Sequence, residues 1–116
     1  MALEKVTDPQ GYVVSLEDER WEHIVEGHPE MKELRSLLLE TLKVPTLVKR
    51  DSEREEVHFY YRLTGRSVFN KNDIYMSAVV ERSDGNMVAR VLTAHLVKSP
   101  KKDSDIVWFK LPTSSK

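Results

Sequence analysis

The stretch DIYMSAVVERSDGNMVARVLTAHLVK, residues 73–98, decides the fold of this chain. At its centre lies Ser83-Asp84-Gly85-Asn86, a hairpin turn signal in which the Asp-Gly pair tolerates positive φ. Asp73 to Arg82 is rich in Ile, Tyr and Val, as a central strand would be, and Met87 to Lys98 follows as its partner. The stretch therefore predicts an antiparallel hairpin within a larger sheet.

Polar and apolar side chains alternate along two of the expected strands, which predicts that each strand has two different faces. In Glu56 to Leu63, one face carries Val57, Phe59, Tyr61 and Leu63, and the other carries His58, Tyr60 and Arg62. In Met87 to Lys98, one face carries Val88, Leu92, Ala94 and Leu96, and the other carries Val91, Thr93 and His95. If both strands turn their polar faces to an uncovered side of the sheet, five polar groups converge there: His58, Tyr60, Arg62, Thr93 and His95.

Two helices are expected before this sheet. Apolar residues recur at three- and four-residue spacing between about Glu17 and Gly27, which predicts a first amphipathic helix. His28 precedes Pro29 and is expected at a non-helical corner, because a residue before proline is pushed out of the helical region. A second helix is expected from about Glu30 to Lys43, where leucines dominate one face.

Three shorter segments complete the expected architecture. Strands are predicted at Tyr12 to Leu16, from Leu47 and Val48, and at Ile106 to Phe109. The order predicts an α+β fold with two N-terminal helices packed on one face of a roughly four-stranded antiparallel sheet. The length predicts one domain over residues 1–116, with a core at about 12–110.

Composition and charge limit the classes of function. The chain has 116 residues, no cysteine and a net charge of -1, which argues against binding long duplex nucleic acid by bulk charge. A local basic pocket for one phosphate stays open. The lack of cysteine excludes cysteine nucleophiles and Cys-based zinc sites, and it favours the cytoplasm. We expect neither a signal peptide nor a membrane span, because no apolar run approaches about 18 residues.

The histidines are the first candidates for chemistry. His23 and His28 lack the four-residue spacing by which one helix presents two metal ligands, so no metal site is expected. His23 also fits a solvated helix residue, and His28 also fits a corner residue that binds backbone. As a functional residue, a corner histidine beside Pro29 is rigidly aimed and acts as a general acid or base near neutral pH.

The polar groups on the strands suggest a reaction class. An arginine such as Arg62 offers a planar fork for a phosphate, a histidine transfers protons, and the hydroxyls of Thr93 and Tyr60 position a substrate. These groups suffice to cleave RNA through its own 2′-hydroxyl without a metal or another cofactor. The same alternation also fits an ordinary antiparallel sheet with one wet face. No phosphate-binding glycine motif or nucleophile elbow is present.

The residue pattern resembles a known family. Arg20-Trp21-Glu22-His23-Ile24 followed by Gly27-His28-Pro29-Glu30-Met31 matches the R-W-x-H-I-x-x-x-H-P-E opening of small phage and bacterial domains. Phe59-Tyr60-Tyr61-Arg62 and Val91-Leu92-Thr93-Ala94-His95-Leu96 resemble the rest of that pattern. These domains are grouped with the barnase, EndoU, colicin and RelE-like (BECR-fold) nucleases, which are also met as toxins.

The resemblance implies metal-independent endoribonuclease activity that leaves a 2′,3′-cyclic phosphate. Transferred to this sequence, it implies that His28 or His95 removes the 2′-hydroxyl proton and that the other histidine protonates the leaving oxygen. Arg62 would stabilise the phosphate charge, with Thr93 and Tyr60 positioning it. His23 and His58 are further substrate-binding candidates. The expected partners are RNA and, as for a toxin, a protein inhibitor or antitoxin.

Two other classes of function stay open from the sequence. The first is a non-catalytic binding or interaction domain on the same scaffold, for which the polar strand face would be a docking surface. The second is a small-molecule or nucleotide pocket protein, which predicts a deep apolar pocket rather than an open sheet face.

Overall fold

The computed structural model of the chain describes residues 3–66, 73–102 and 104–110. Its helical elements are α1 (Asp18–Gly27), a 3₁₀ helix (Pro29–Glu33) and α2 (Arg35–Lys43). Its strands are β1 (Leu3–Thr7), β2 (Val13–Glu17), β3 (Leu47–Asp51), β4 (Val57–Arg66), β5 (Asp73–Ser83), β6 (Val88–Val97) and β7 (Ser104–Phe109). No helix among the described residues combines the length and the apolar character needed to cross a bilayer.

The strands form one mixed sheet. Within the described residues it has seven strands in the order β1-β2-β6-β5-β4-β3-β7, and β2 pairs with β6 in parallel. The α+β class is observed, but the predicted four-stranded antiparallel sheet behind two N-terminal helices is wrong. Two strands precede the helices, the sheet is larger, and one pairing is parallel.

The sequence prediction missed β1 for a physical reason. Every residue of β1 except Val6 is exposed, so the segment LEKVT has no buried alternating face to reveal it. Its strand conformation comes from antiparallel pairing with β2, with Val6 opposite Val14 and Leu3 opposite Glu17. Backbone hydrogen bonds to a neighbour, rather than its own pattern, define this strand.

The second predicted helix is divided in two. The 3₁₀ helix ends at Glu33, and α2 begins at Arg35 rather than at Glu30. Proline suits the first position of a helix because its missing N–H has no intrahelical partner there. The side chain of Met31 is fully buried in the resulting turn, which anchors the segment between the two α-helices.

The main core lies between the helices and one face of the sheet. Its largest fully buried members include Leu16, Met31, Leu38, Leu42, Tyr60 and Met76. Tyr60 opposes Ala78 of β5, and Ala78 opposes Ala94 of β6, so the row through these residues faces the helices. We call this side the helix-covered face and the opposite side the helix-free face.

The register places the polar residues of β4 against expectation. His58, Tyr60 and Arg62 are spaced two residues apart along β4, so their side chains lie on the same face of the sheet. Because Tyr60 is in the main core, that face is the helix-covered face. The expectation that they share an uncovered face with Thr93 and His95 is wrong. The other face of β4 forms a second, smaller apolar cluster: Val57, Phe59 and Tyr61, packed with Leu47, Tyr75, Val79 and Val97.

A β-bulge divides β6 into two segments with different alternation. Val79 pairs with Thr93, yet Val80 pairs with Val91, so Leu92 is an extra residue in the ladder. Ala94 is therefore buried on the same face as Val91, whereas the alternation predicted from sequence put them on opposite faces. Thr93 and His95 consequently lie on the helix-free face.

The predicted hairpin turn is confirmed in position. Strand β5 ends at Ser83 and β6 begins at Val88, with a turn over residues 84–87. The residue with positive φ is Met87, at 56°, rather than Gly85. The Tyr12 hydroxyl hydrogen-bonds the Asp84 carboxylate, so this turn is tied to the loop between β1 and β2.

Candidate active site

Two histidines from distant parts of the chain meet at the edge of β6. The imidazole rings of His28 and His95 are stacked, with centroids 4.7 Å apart and an interplanar angle of 11°. His28 joins α1 to the 3₁₀ helix, and His95 belongs to β6. Strand β2 pairs with β6 over residues 88–90, so within the described part of the chain no strand covers the edge beside His95. The fold therefore brings together two of the residues predicted from sequence.

The backbone fixes His28 at its corner. Its N–H donates to the Ile24 carbonyl at 2.8 Å and closes the last turn of α1, and its own carbonyl accepts from the Met31 N–H at 2.9 Å. Its φ of -137° and ψ of 79° lie outside the helical region, as expected before Pro29. Because both backbone groups are bonded, the ring is held at a defined position against β6.

Partial burial sets the protonation state of His95. Its Nδ1 is enclosed and has no hydrogen-bond partner among the described residues. Burial lowers the pKa of His95 below its usual 6.5, and the neighbouring His28 lowers this pKa further, while the Glu30 carboxylate opposes them. His95 is therefore neutral at neutral pH and can accept a proton.

Glu30 gives the two rings different surroundings. Its Oε2 lies 3.8 Å from Nδ1 of His28, so a protonated His28 has a carboxylate partner. The pair is about half exposed and contributes little to stability. The two rings thus differ in their surroundings: one ring nitrogen of His95 is buried without a partner among the described residues, whereas Nδ1 of His28 lies beside a carboxylate. Unlike surroundings are what an acid–base pair needs.

Sequence reasoning did not select Glu30 as a functional residue. The available signal was the H-P-E order itself, because Pro29 sets the corner and Glu30 follows in the first turn of the 3₁₀ helix. That turn is what returns the carboxylate toward His28.

Thr93 accompanies His95, whereas Arg62 does not. Thr93 pairs with Val79 and His95 pairs with Ser77, and the side chains of these two β5 residues lie on the helix-free face. Arg62 lies on the helix-covered face, where Nη1 donates to the Val44 carbonyl at 2.6 Å. Arg62 therefore holds the C-terminal end of α2 and does not face the histidine pair.

Arg62 also reaches the side chain of α2. Its Nη2 lies 3.5 Å from Oε2 of Glu40, one turn before the end of the helix. Both contacts favour a packing role for this arginine over the predicted phosphate contact.

Tyr60 and His58 belong to a sealed polar cluster at the other end of the sheet. The Tyr60 hydroxyl donates to Asp8, whose side chain is fully buried, and Arg82 approaches the same carboxylate oxygen at 3.4 Å. Arg82 also donates to the Tyr60 hydroxyl at 3.0 Å and to Gln10 at 2.8 Å. This buried cluster, defined by Asp8, Tyr60, Arg82 and His58, fastens the β1–β2 loop to the sheet.

Burial removes the titratable members of this cluster from neutral-pH chemistry. Burial, with the Arg82 cation nearby, lowers the pKa of His58 from 6.5 to about 4. Burial and the hydrogen bond to Asp8 raise the pKa of Tyr60. Both side chains are neutral at pH 7, and both are enclosed. Asp8 and Arg82 were not selected from sequence, because only the fold shows that they are buried and paired.

His23 stands apart from these groups. It lies on the exposed side of α1, with Nδ1 3.9 Å from Oε1 of Glu26 and most of its side chain in water. The interpretation of His23 as a solvated helix residue fits this position. The structure does not bring it to the His28–His95 pair.

Comparisons with known proteins do not assign this chain to a family. Comparison of the chain with family models, with curated proteins and with solved structures gave no match. Across residues 3–66, 73–102 and 104–110, no group of three or more His, Asp or Glu side chains is placed to hold a metal ion.

Proposed function

We propose that this chain is a metal-independent endoribonuclease of the BECR-fold kind, acting in the cytoplasm on single-stranded RNA. The observation that carries the proposal is the stacking of His28 on His95 at the part of the β6 edge with which no described strand pairs. A pair of imidazoles in unlike surroundings supplies both proton transfers that transesterification needs. The matching opening motif, from Arg20 to Glu30, supports the same reaction class.

The proton transfers follow from the surroundings of each ring. Neutral His95 accepts the 2′-hydroxyl proton while the 2′-oxygen forms a bond to phosphorus. His28, which lies beside the Glu30 carboxylate, acts as the acid and gives a proton to the 5′-oxygen as the bond between that oxygen and phosphorus breaks. The products are a 2′,3′-cyclic phosphate and a free 5′-hydroxyl, and water returns the protons to their starting positions. Thr93, on the same face of β6 as His95, is the hydroxyl available to position the phosphate.

The test is cleavage of a single-stranded RNA oligonucleotide in the presence of excess chelator. His28→Ala and His95→Ala should each lower kcat by at least about 100-fold, because each removes one proton transfer. His23→Ala is the matched control, since it removes an exposed histidine of the same helix region, and it should cleave as the natural chain does. The product should carry a 2′,3′-cyclic end.

The pH profile tests the assignment of His95 as the base. The lowered pKa of His95 predicts that the rising limb of kcat/KM against pH is centred below pH 6.5, because the base must be neutral to accept the 2′-hydroxyl proton. Cleavage that survives in both histidine variants contradicts the proposal. Absence of cleavage by the natural chain favours the non-catalytic binding domain instead, and activity lost only with chelator assigns the chemistry to a metal.

A further inference from the structure

A groove runs along the helix-free face, beyond the histidine pair. It has a volume of about 650 Å³, within the usual range for a ligand site, and lies between β1, β2, β5 and β6. Its apolar wall includes Leu3, Val13 and Val88, of which Leu3 and Val88 are among the most exposed large apolar side chains of the described residues. Apolar surface exposed in a concave position indicates a binding surface.

The groove and the histidine pair lie on one continuous surface. Three residues of β5 have side chains on the helix-free face: Glu81, Val79 and Ser77. Their partners on β6 are, in the same order, Arg90, Thr93 and His95. Arg90 also pairs with Ser15 of β2, inside the groove. At about 3.3 Å per residue, the distance along β6 from Arg90 to His95 is on the order of 15 Å, a span covered by a few nucleotides.

The charged side chains that line the groove indicate which kind of ligand it can bind. Three cations line the groove, Lys5, Arg82 and Arg90, and so do three carboxylates, Glu17, Glu56 and Glu81. The Arg82 side chain is buried and paired with Asp8, so Arg90 and Lys5 are the cations available to a phosphate. Nε of Arg90 lies 2.8 Å from Oε1 of Glu81, but both side chains are well exposed, so a ligand can compete with this weak pair. Three carboxylates beside two available cations disfavour a run of phosphates and leave most contacts to ribose and base.

We propose that this groove binds the single-stranded RNA flanking the cleaved bond, with Arg90 and Lys5 holding one phosphate and the apolar wall holding ribose and base. The inference rests on the proposed ribonuclease function and extends it by naming a second subsite. Because the groove neutralises a single phosphate, its contribution to the slope of log K against log salt should be only about -0.7.

The experiment compares a long and a short substrate. The ratio of kcat/KM for a single-stranded decanucleotide to kcat/KM for a dinucleotide is measured for the natural chain, Arg90→Ala and Lys5→Ala. Each groove variant should lower this ratio about tenfold, because only the long substrate reaches the groove. Lys43→Ala is the matched control, since it removes an exposed cation at the end of α2, and its ratio should equal that of the natural chain.

A binding measurement separates this inference from the proposed function. Fluorescence anisotropy of the labelled decanucleotide with the His28→Ala chain reports affinity without cleavage. Weaker binding in His28→Ala chains that also carry Arg90→Ala supports the groove even if the natural chain cleaves nothing. An unchanged long-to-short ratio in an active enzyme, or equal affinity with and without Arg90, overturns the groove and leaves the histidine pair untouched.

Discussion

The histidine pair at the edge of β6 and the buried cluster around Asp8 contain similar residue types in opposite conditions. In the buried cluster, the Asp8 carboxylate accepts from Tyr60 and Arg82 as well as from the backbone of Gln10 and Tyr12. Nδ1 of His58 in the buried cluster and Nδ1 of His95 at the β6 edge both lack a partner among the described residues, so the two regions differ in burial: His58 is buried, whereas the two rings at the β6 edge are only partly covered. Buried groups stabilise a fold, whereas partly accessible groups can exchange protons with a substrate.

Breaking the buried pair should give the largest effect. Arg82→Met keeps the side-chain volume but leaves the Asp8 charge buried without its cation, so the free energy of unfolding should fall by about 3–5 kcal/mol. Urea denaturation followed by circular dichroism measures this change. Arg50→Met is the matched control, because its pair with Asp105 is exposed and should contribute at most about 1 kcal/mol.

A double variant checks that the cost comes from the unpaired charge. Asp8→Asn combined with Arg82→Met removes both charges and keeps the oxygen that accepts from the backbone of Gln10 and Tyr12. It should recover part of the lost stability. If the double variant loses the sum of the two single losses, the two charges are not coupled.

The next largest effect concerns His58 and pH. Since its pKa falls from 6.5 when unfolded to about 4 when folded, the folded state binds this proton less readily than the unfolded state. The resulting stability is present above about pH 6.5 and is lost as pH falls toward 4, by about 3 kcal/mol in all. His58→Phe, which does not titrate, should lack this part of the decline in urea unfolding between pH 7 and pH 4. If the free energy of unfolding declined equally with pH in the natural chain and in His58→Phe, this contribution of His58 would be refuted.

The smallest effect concerns Arg62. Removing its hydrogen bond to Val44 and its contact with Glu40 should lower the free energy of unfolding by about 1 kcal/mol in Arg62→Ala. Cleavage by this variant should fall less than tenfold, because the side chain lies on the helix-covered face. A loss of 100-fold or more at unchanged stability would restore the catalytic role expected from sequence.

Local patterns predicted most of the elements. The first helix, the strands predicted over residues 56–63 and 73–82 and the hairpin turn between β5 and β6 agree in position with the structure, because each carries its own periodicity or turn chemistry. Strand β1 was not predicted, since its exposed residues depend on pairing with β2. The parallel contact between β2 and β6 was not visible either, because it joins segments far apart in sequence.

The faces of β4 show where pattern reasoning ends. Val57, Phe59 and Tyr61 are apolar enough to mark the core side, yet they belong to the smaller cluster on the helix-free face. Tyr60 enters the main core because Asp8 and Arg82 satisfy its hydroxyl there. No rule of alternation contains that information. The approach of His28 to His95 likewise depends on the tertiary position of one corner.

The bulge at Leu92 has a consequence for how this surface can vary. In a regular strand, residues two or four positions apart have side chains on the same face of the sheet. Without a bulge, Val91 and His95 would therefore share a face. The extra residue Leu92 interrupts the alternation. Val91 before it can therefore be buried on the helix-covered face while His95 after it lies on the helix-free face. If the bulge straightened while Leu92 remained in the strand, His95 would move to the helix-covered face, with no change in any charge or polar group of the chain.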